Sequence, residues 1–570
     1  MLALLFFVGI RYDYYYDLND DVLIKDILAG VYTGMPEGNN IQMHWPISFL
    51  ISLCYRLVRQ FPWYGLFLCL CHFGSLYLIA CRSLRFCGTR AAKAGLLLVE
   101  GSLMLGLFLE HLVFAQYTLT CTLLASAAAF WFFTTDDTLD TRAFIRDNIP
   151  AILLVSLAYV VRSEMLLLVL PMICAAGVIK WGNERKIFVK ENFVKYLAII
   201  GGILAGIGLG QGLHALAYSS QEWRAFTEYF DNRTELYDFQ RLPEYEANQD
   251  FYESIGLTES ERELLDNYNF GLDEKIDEKL IGQVASYAAE NRSEEKPFFQ
   301  QLRACIPDYI YRTLHGKNEP GSDYPWNYAV IAAYGAVFLV SLLKRKNILG
   351  VSWKLAFLFA VRTVLWMYIL MRERKPPRIL HSLYLMELCI LGAMLLVSWK
   401  NTEEGKHRRI AGIAAGILFL VLGISICPYA AENADINFRQ REVINAPFQE
   451  LYGYLGDEEN RNNFYFLDVY STVAYSEKMF ENVDNSLDNY DLMGGWACKS
   501  PLWKKKLALF GIRSVEEALL EQENVFFVIE TGGETDWLKD YYEDQGKEIR
   551  IEELERIGDG FIVYDIRKAG

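Results

Sequence analysis

The sequence predicts a polytopic α-helical membrane protein of about eleven spans, with an outward α/β domain at its C-terminal end. Three observations carry this. The 570-residue chain is 52% hydrophobic, with 35 Tyr and 35 Phe, yet 22% charged. That is too apolar for an ordinary soluble protein and too charged for a wholly embedded one. Apolar runs of spanning length recur from Trp63 to Ile426, and the polar residues collect in two long segments, 218–327 and the stretch after Pro428. The net charge of −16 argues against nucleic acid as a partner.

The first apolar run, Met1 to Ile10, is about half the ~20 residues needed to cross a bilayer. No small-residue cleavage site follows, so it reads as the end of a truncated first helix. Tyr12, Tyr14, Tyr15 and Tyr16 then suit an interfacial aromatic belt. Residues 11–62 form the first outer loop, with two surface helices expected at about Asp20–Tyr32 and Trp45–Arg59 on either side of a Gly/Pro/Asn turn at Gly34 to Asn40. The second helix is amphipathic and lies along the membrane surface rather than crossing it.

Spans are expected at Trp63–Ala80, Ala94–Leu109, Ala115–Phe133, Phe193–Ala217, Tyr328–Leu343, Trp353–Leu370, Ile379–Trp399 and Ile410–Ile426. Two short ones fall between Ile149 and Ile179, broken by Arg162, Ser163 and Glu164. Basic clusters such as Arg82, Arg85, Arg90 and Lys93, or Lys180, Arg185, Lys186 and Lys190, mark inner loops. Alternation then puts outside the first loop, the Glu110–His111 turn, Arg162–Glu164, the insertion 218–327, the Arg372–Arg378 loop and everything after Pro428. The domain reading is a module of residues 1–217, an extracytoplasmic helical insertion at 218–327, helices at 328–427 and an α/β domain at 428–570. Within that last domain, strands are expected at Asn463–Val469, Asn524–Glu530 and Gly560–Ile566. Most of the eleven Cys lie in apolar runs, so no disulfide framework is expected.

The chemistry-bearing residues lie at these outer edges. Asp17, Asp20 and Asp21 are spaced i, i+3, i+4, which on a helix shares one face. Mutual repulsion raises at least one pKa and suits a general base, and the same cluster equally suits a divalent cation or the solvated first turn of a helix capped by Asn19. Arg162 sits in an apolar run, where a charge is costly and often functional, or pairs with Glu164 at the rim. Glu110 and His111, level with the first loop, suit a metal or sugar contact, against a bland role as membrane-edge polar groups, and His44 with Trp45 suits stacking on a sugar, against a belt role for Trp45. Arg372, Arg374, Lys375 and Arg378 (RERKPPR) break the charge rule by lying outside. They fit a phosphate or pyrophosphate partner, against a bland role on anionic headgroups. No Walker loop, CxxC, HExxH or GxSxG is present, and Gly494-Gly495-Trp496 is too short for a nucleotide loop.

This layout resembles the GT-C superfamily of integral membrane glycosyltransferases. The likeness rests on Asp20-Asp21 following Asn19 in the first outer loop, on the two surface helices, and on many spans followed by an outward C-terminal domain. The resemblance implies transfer of a sugar, with inversion, from a polyprenyl-phosphate carrier to a glycan, protein or lipid acceptor on the outer face of the cytoplasmic membrane. Asp20 is then the base, with Asp21 as its partner, and the Arg372–Arg378 loop grips the carrier phosphate. Many such enzymes need no metal and some use a divalent ion. A transporter or flippase, or a polymerase of lipid-linked glycans, is the alternative.

Overall fold

A computed structural model describes residues 1–184, 187–291, 297–317, 319–342, 348–373, 375–400, 406–481 and 485–569. A short helix, α1 (Leu2–Arg11), leads through β1 (Tyr15–Tyr16) into α2 (Asn19–Ala29) and α3 (Trp45–Leu57). At 13 residues α3 spans about 20 Å, too little for a hydrocarbon core of about 30 Å, as its surface reading requires. Next come α4 (Trp63–Ser83), α5 (Arg90–Val113), β2 (Phe114–Ala115), α6 (Tyr117–Thr134), α7 (Thr141–Val161), α8 (Ser163–Trp181) and α9 (Lys190–Ala217). The insertion holds α10 (Gln221–Thr234), α11 (Gln249–Ser254), α12 (Glu259–Asp266), α13 (Glu278–Glu290) and α14 (Phe298–Leu314). The bundle closes with α15 (Trp326–Leu342), α16 (Ile348–Met371), α17 (Pro377–Lys400) and α18 (Lys406–Gly456).

Among the described residues nine helices are long and apolar enough to cross a bilayer, α4 to α9 and α16 to α18. The shorter apolar α1, α3 and α15 stand beside them. Within the bundle α6 is central and enclosed on nearly every side, with α4, α7, α8 and α17 around it, while α18 packs along α5. The break expected at Arg162 is real, since that residue is extended between α7 and α8. Two local expectations fail. Leu18, not Asn19, takes the N-cap of α2 without a side-chain cap bond, and Glu110–His111 form the last turn of α5 rather than a connecting turn.

Pro428 does not end the last span. α18 is a single helix of 51 residues with Pro428 and Pro447 inside it, so it runs from the bundle into the C-terminal domain. A proline forfeits one i→i−4 bond, and continuous packing along α5 and then on the domain outweighs that loss.

The domain beyond is a five-stranded mixed sheet: β3 (Phe464–Leu467), β4 (Tyr490–Leu492), β5 (Val525–Glu530), β6 (Ile549–Ile557) and β7 (Phe561–Lys568), in the order β4-β3-β5-β7-β6. Helices α19 (Val469–Thr472), α20 (Pro501–Leu509), α21 (Val515–Glu521) and α22 (Asp536–Asp544) accompany it. The three expected strands are present; β4 and β6 were not foreseen. Their signals are weak, since β4 has only three residues and β6 is a largely exposed, charged edge strand.

The first loop is stitched to this domain. β1 pairs in parallel with β2, and the Tyr16 N–H donates to the Glu477 carbonyl at 3.0 Å while the Met479 N–H donates to Tyr14 at 2.8 Å. The Ser476 hydroxyl donates to the Tyr16 carbonyl. Beneath this seam Lys25 pairs with Asp26 and Glu477, each at 2.6 Å.

Candidate functional site

One end of the bundle gathers the N-terminal ends of α4, α6, α8 and α17 and the C-terminal ends of α5 and α7. The first loop lies across that end. α2 stops at Gly30, whose positive φ of 85° and close approach to Pro36 exclude a side chain, and the chain doubles back into α3. This turn folds α2 back against α3.

The three carboxylates separate rather than share a face. Asp17 precedes the helix, and neighbours on a helix diverge by about 100°. Asp21 points inward and is fully buried. Its Oδ1 accepts from the Tyr64 hydroxyl at 2.7 Å and from the Tyr117 N–H at 3.3 Å, while Oδ2 makes no bond among the described residues. Burial pushes its carboxyl well above the usual range; the Tyr64 bond opposes this, and the charges of Asp20 and Asp17 add to it.

Asp20 is half-buried among cations. Burial raises its carboxyl, and Arg378, Arg162, the Trp496 indole N–H and Arg233 each hold it down. Asp17 is raised by burial too, against Arg378 and Arg441. Arg378 therefore acts on both half-buried carboxylates. Arg162 is itself positioned, donating to Gln42 Oε1 at 2.5 Å, pairing with Glu164 at 3.1 Å and lying 5.2 Å over the Tyr117 ring.

The remaining basic-loop residues go elsewhere. Lys375 pairs with Asp308 at 2.6 Å, and the exposed Arg372 lies over Phe239 and Tyr368. Arg374 is outside the described residues. The N-terminal end of α17, and Arg378 with it, is anchored by Tyr384 on Asp323 at 3.1 Å and by the buried Arg362–Glu387 pair at 2.9 Å.

The other expected residues divide. Glu110 joins Asp17 in lining a cavity beside α18, where it accepts from the Asn437 amide at 2.7 Å. His111 turns to His381, 2.8 Å away, and to Trp326. His44 bonds Gln211 at 2.9 Å and stacks near His214 and Tyr159, on the α9 flank. No group of three or more His, Cys, Asp or Glu side chains among the described residues is arranged to hold a metal ion.

Four contributors were not foreseen: Arg233 from α10, Trp496 from the C-terminal domain, and Asn437 and Arg441 from α18. The signal for Trp496 was the preceding glycine pair. Gly494 passes so close to the Tyr268 carbonyl that a Cβ would collide, and Gly495 has φ 86°. This turn, tied by the Gly271 N–H to the Met493 carbonyl at 2.7 Å, delivers Trp496 to Asp20.

No protein-family model matches the chain, and no curated protein does. Among solved structures it overlays on ArnT from Cupriavidus metallidurans in the apo state, at 10% identity and a TM-score of 0.42, over 99% of this chain and 97% of that one. It also overlays on the same protein bound to undecaprenyl phosphate, at 12% identity and a TM-score of 0.36 over the same shares. Overlays this loose decide neither family nor activity.

Proposed function

We propose that this protein transfers a sugar from a polyprenyl-phosphate-linked donor to an acceptor at the outer face of the cytoplasmic membrane, with Asp20 as general base. The observation that carries this reading is the meeting of Asp20 with Arg378 and Arg162 at one end of the bundle. A lipid-linked donor presents its phosphate at the membrane boundary, where these groups lie. Glycosyl transfer makes two demands there, removal of a proton from the acceptor hydroxyl and neutralisation of the departing phosphate.

Asp20 meets the first. A carboxyl lifted by burial is a stronger base than one in water, and its cations keep it ionised. Arg378 meets the second, since among the described residues its guanidinium makes no hydrogen bond and stays free for an anion. The acceptor oxygen bonds to the anomeric carbon, the bond from that carbon to the phosphate oxygen breaks, the electron pair leaves with the phosphate, and the proton passes to Asp20. Asp21 acts as a buried brace that fixes α2 on Tyr64 and Tyr117. The basic residues Arg82 and Arg85 at the far end of α4 support the outward reading.

The test uses purified protein, a polyprenyl-phosphate donor carrying a radiolabelled sugar, and a glycan and lipid extract as acceptor. Label should move to acceptor with wild type and not with Asp20→Asn. Undiminished transfer in both Asp20→Asn and Asp21→Asn sinks the assignment.

A further inference from the structure

The cavity beside α18 has no part in the chemistry above. It is an open hollow of about 140 Å³ between the first loop, the end of α5 and α18. Asp17 and Glu110 supply carboxylates to its wall, Asn437 and Gln440 carboxamides, and Phe114 and Ile444 an aromatic and an aliphatic surface. Arg441 completes the lining, but its guanidinium is held by the carbonyls of Ala474 at 2.6 Å and Asp17 at 3.2 Å. Glu110 is partly engaged by Asn437. The Asp17 carboxylate and the Gln440 carboxamide make no side-chain hydrogen bond among the described residues, so both are free for a guest.

Two features select the guest. Its volume is close to the roughly 150 Å³ that holds one benzene-sized ring, and its open mouth leaves room for substituents. The wall alternates hydrogen-bond acceptors with amide groups that both donate and accept, and adds one aromatic face, a pattern that suits vicinal hydroxyls over a C–H face. Arg441 offsets one of the two acids, which weakens the case for a cationic amine.

Position selects the role. Asp17 lines the cavity and stands three residues before Asp20, and its carboxylate feels both Arg441 of the cavity wall and Arg378 beside Asp20, so the cavity and the pocket around Asp20 adjoin at Asp17. Displacement with inversion brings the nucleophile in opposite the leaving group. We infer that the cavity is the acceptor subsite and that the acceptor is a sugar residue whose ring sits between Phe114 and Ile444 and presents one hydroxyl to Asp20. This rests on the transfer reading above.

The test is direct binding, independent of turnover. Saturation-transfer NMR is run on the purified full chain in detergent with methyl glycosides of glucose, galactose, mannose and N-acetylglucosamine. At least one should bind, with a signal at least tenfold weaker in Ile444→Trp, which fills the cavity from an exposed position, and in Gln440→Ala. Binding should persist in Asp20→Asn and Arg378→Ala. Thermal unfolding of each variant establishes that it is folded. The inference is overturned if no glycoside binds to wild type, if neither cavity variant weakens binding, or if benzylammonium binds there in place of the glycosides. Cavity-dependent binding without any transfer by wild type upholds the subsite and sinks the transfer reading alone.

Discussion

The Tyr64 hydroxyl donates to Asp21 at 2.7 Å, and this bond separates the roles of two adjacent carboxylates. Asp21 is spent on holding α2 to α4, and Asp20 is left to face the cations. Asp20→Asn should therefore lower transfer by about 10²–10⁴-fold with unfolding temperature unchanged. Asp21→Ala leaves the Tyr64 hydroxyl buried without an acceptor and should cost about 1–3 kcal/mol of stability. Parallel transfer assays and thermal unfolding separate the two outcomes.

If Asp20 is the base proposed above, its raised carboxyl should set the acid limb of activity. The base works only when ionised, so kcat/KM should climb with pH through a value above the ordinary carboxylate range. Arg378 lowers that value; Arg378→Gln removes a favourable charge and should move the limb to higher pH. A profile of kcat/KM against pH for both proteins checks the direction.

Donor binding should distinguish Arg378 from its neighbours. Losing a charge-assisted bond to phosphate costs about 1.5–3 kcal/mol, or about 10–100-fold in Kd for the lipid donor. Lys375→Ala, which breaks only the pair with Asp308, should leave Kd within about twofold, since a pair this exposed contributes ~0–1 kcal/mol. Titration of each variant with polyprenyl phosphate reads both values.

Trp496 ties the C-terminal domain to the base. Trp496→Phe keeps the ring and removes the N–H that holds the Asp20 carboxyl down, so the acid limb should rise while folding is retained. An unmoved limb would place Trp496 among packing residues alone.

The seam between first loop and domain has its own pH signature. Burial lowers the pKa of Lys25, but Asp26 and Glu477 more than offset this and leave it well raised. Its folded pKa exceeds the unfolded one, so the pair's stabilisation is fully present below the ordinary lysine range and is lost as pH rises through the folded value. Lys25→Met strands two carboxylates and should cost about 3–5 kcal/mol near neutral pH, seen in thermal unfolding.

Much of this could be read from the residues. Apolar run lengths located the long helices, carboxylate spacing singled out Asp17, Asp20 and Asp21, and charges that break the hydropathy or topology pattern singled out Arg162 and Arg378 as candidates. Composition could not say that Arg378 turns to the carboxylates while Lys375 turns to Asp308; that depends on where α14 packs against α16. His44 carried the same polar signal as Glu110, yet its neighbours on α9 claim it. Trp496, Arg233 and Arg441 come from segments hundreds of residues away, and only tertiary packing brings them in. Pro428 misled because a local rule about helix ends was overridden by the packing of α18.

The clasp between Tyr16 and Ser476 joins positions 460 residues apart in the chain. A ribosome adding about 5–20 residues per second needs roughly half a minute to a minute and a half to cover that distance. Throughout that interval the emerging N-terminal segment waits without its partner from the C-terminal domain. A chain that stops short of Ser476 therefore lacks the strut that closes the first loop onto the C-terminal domain.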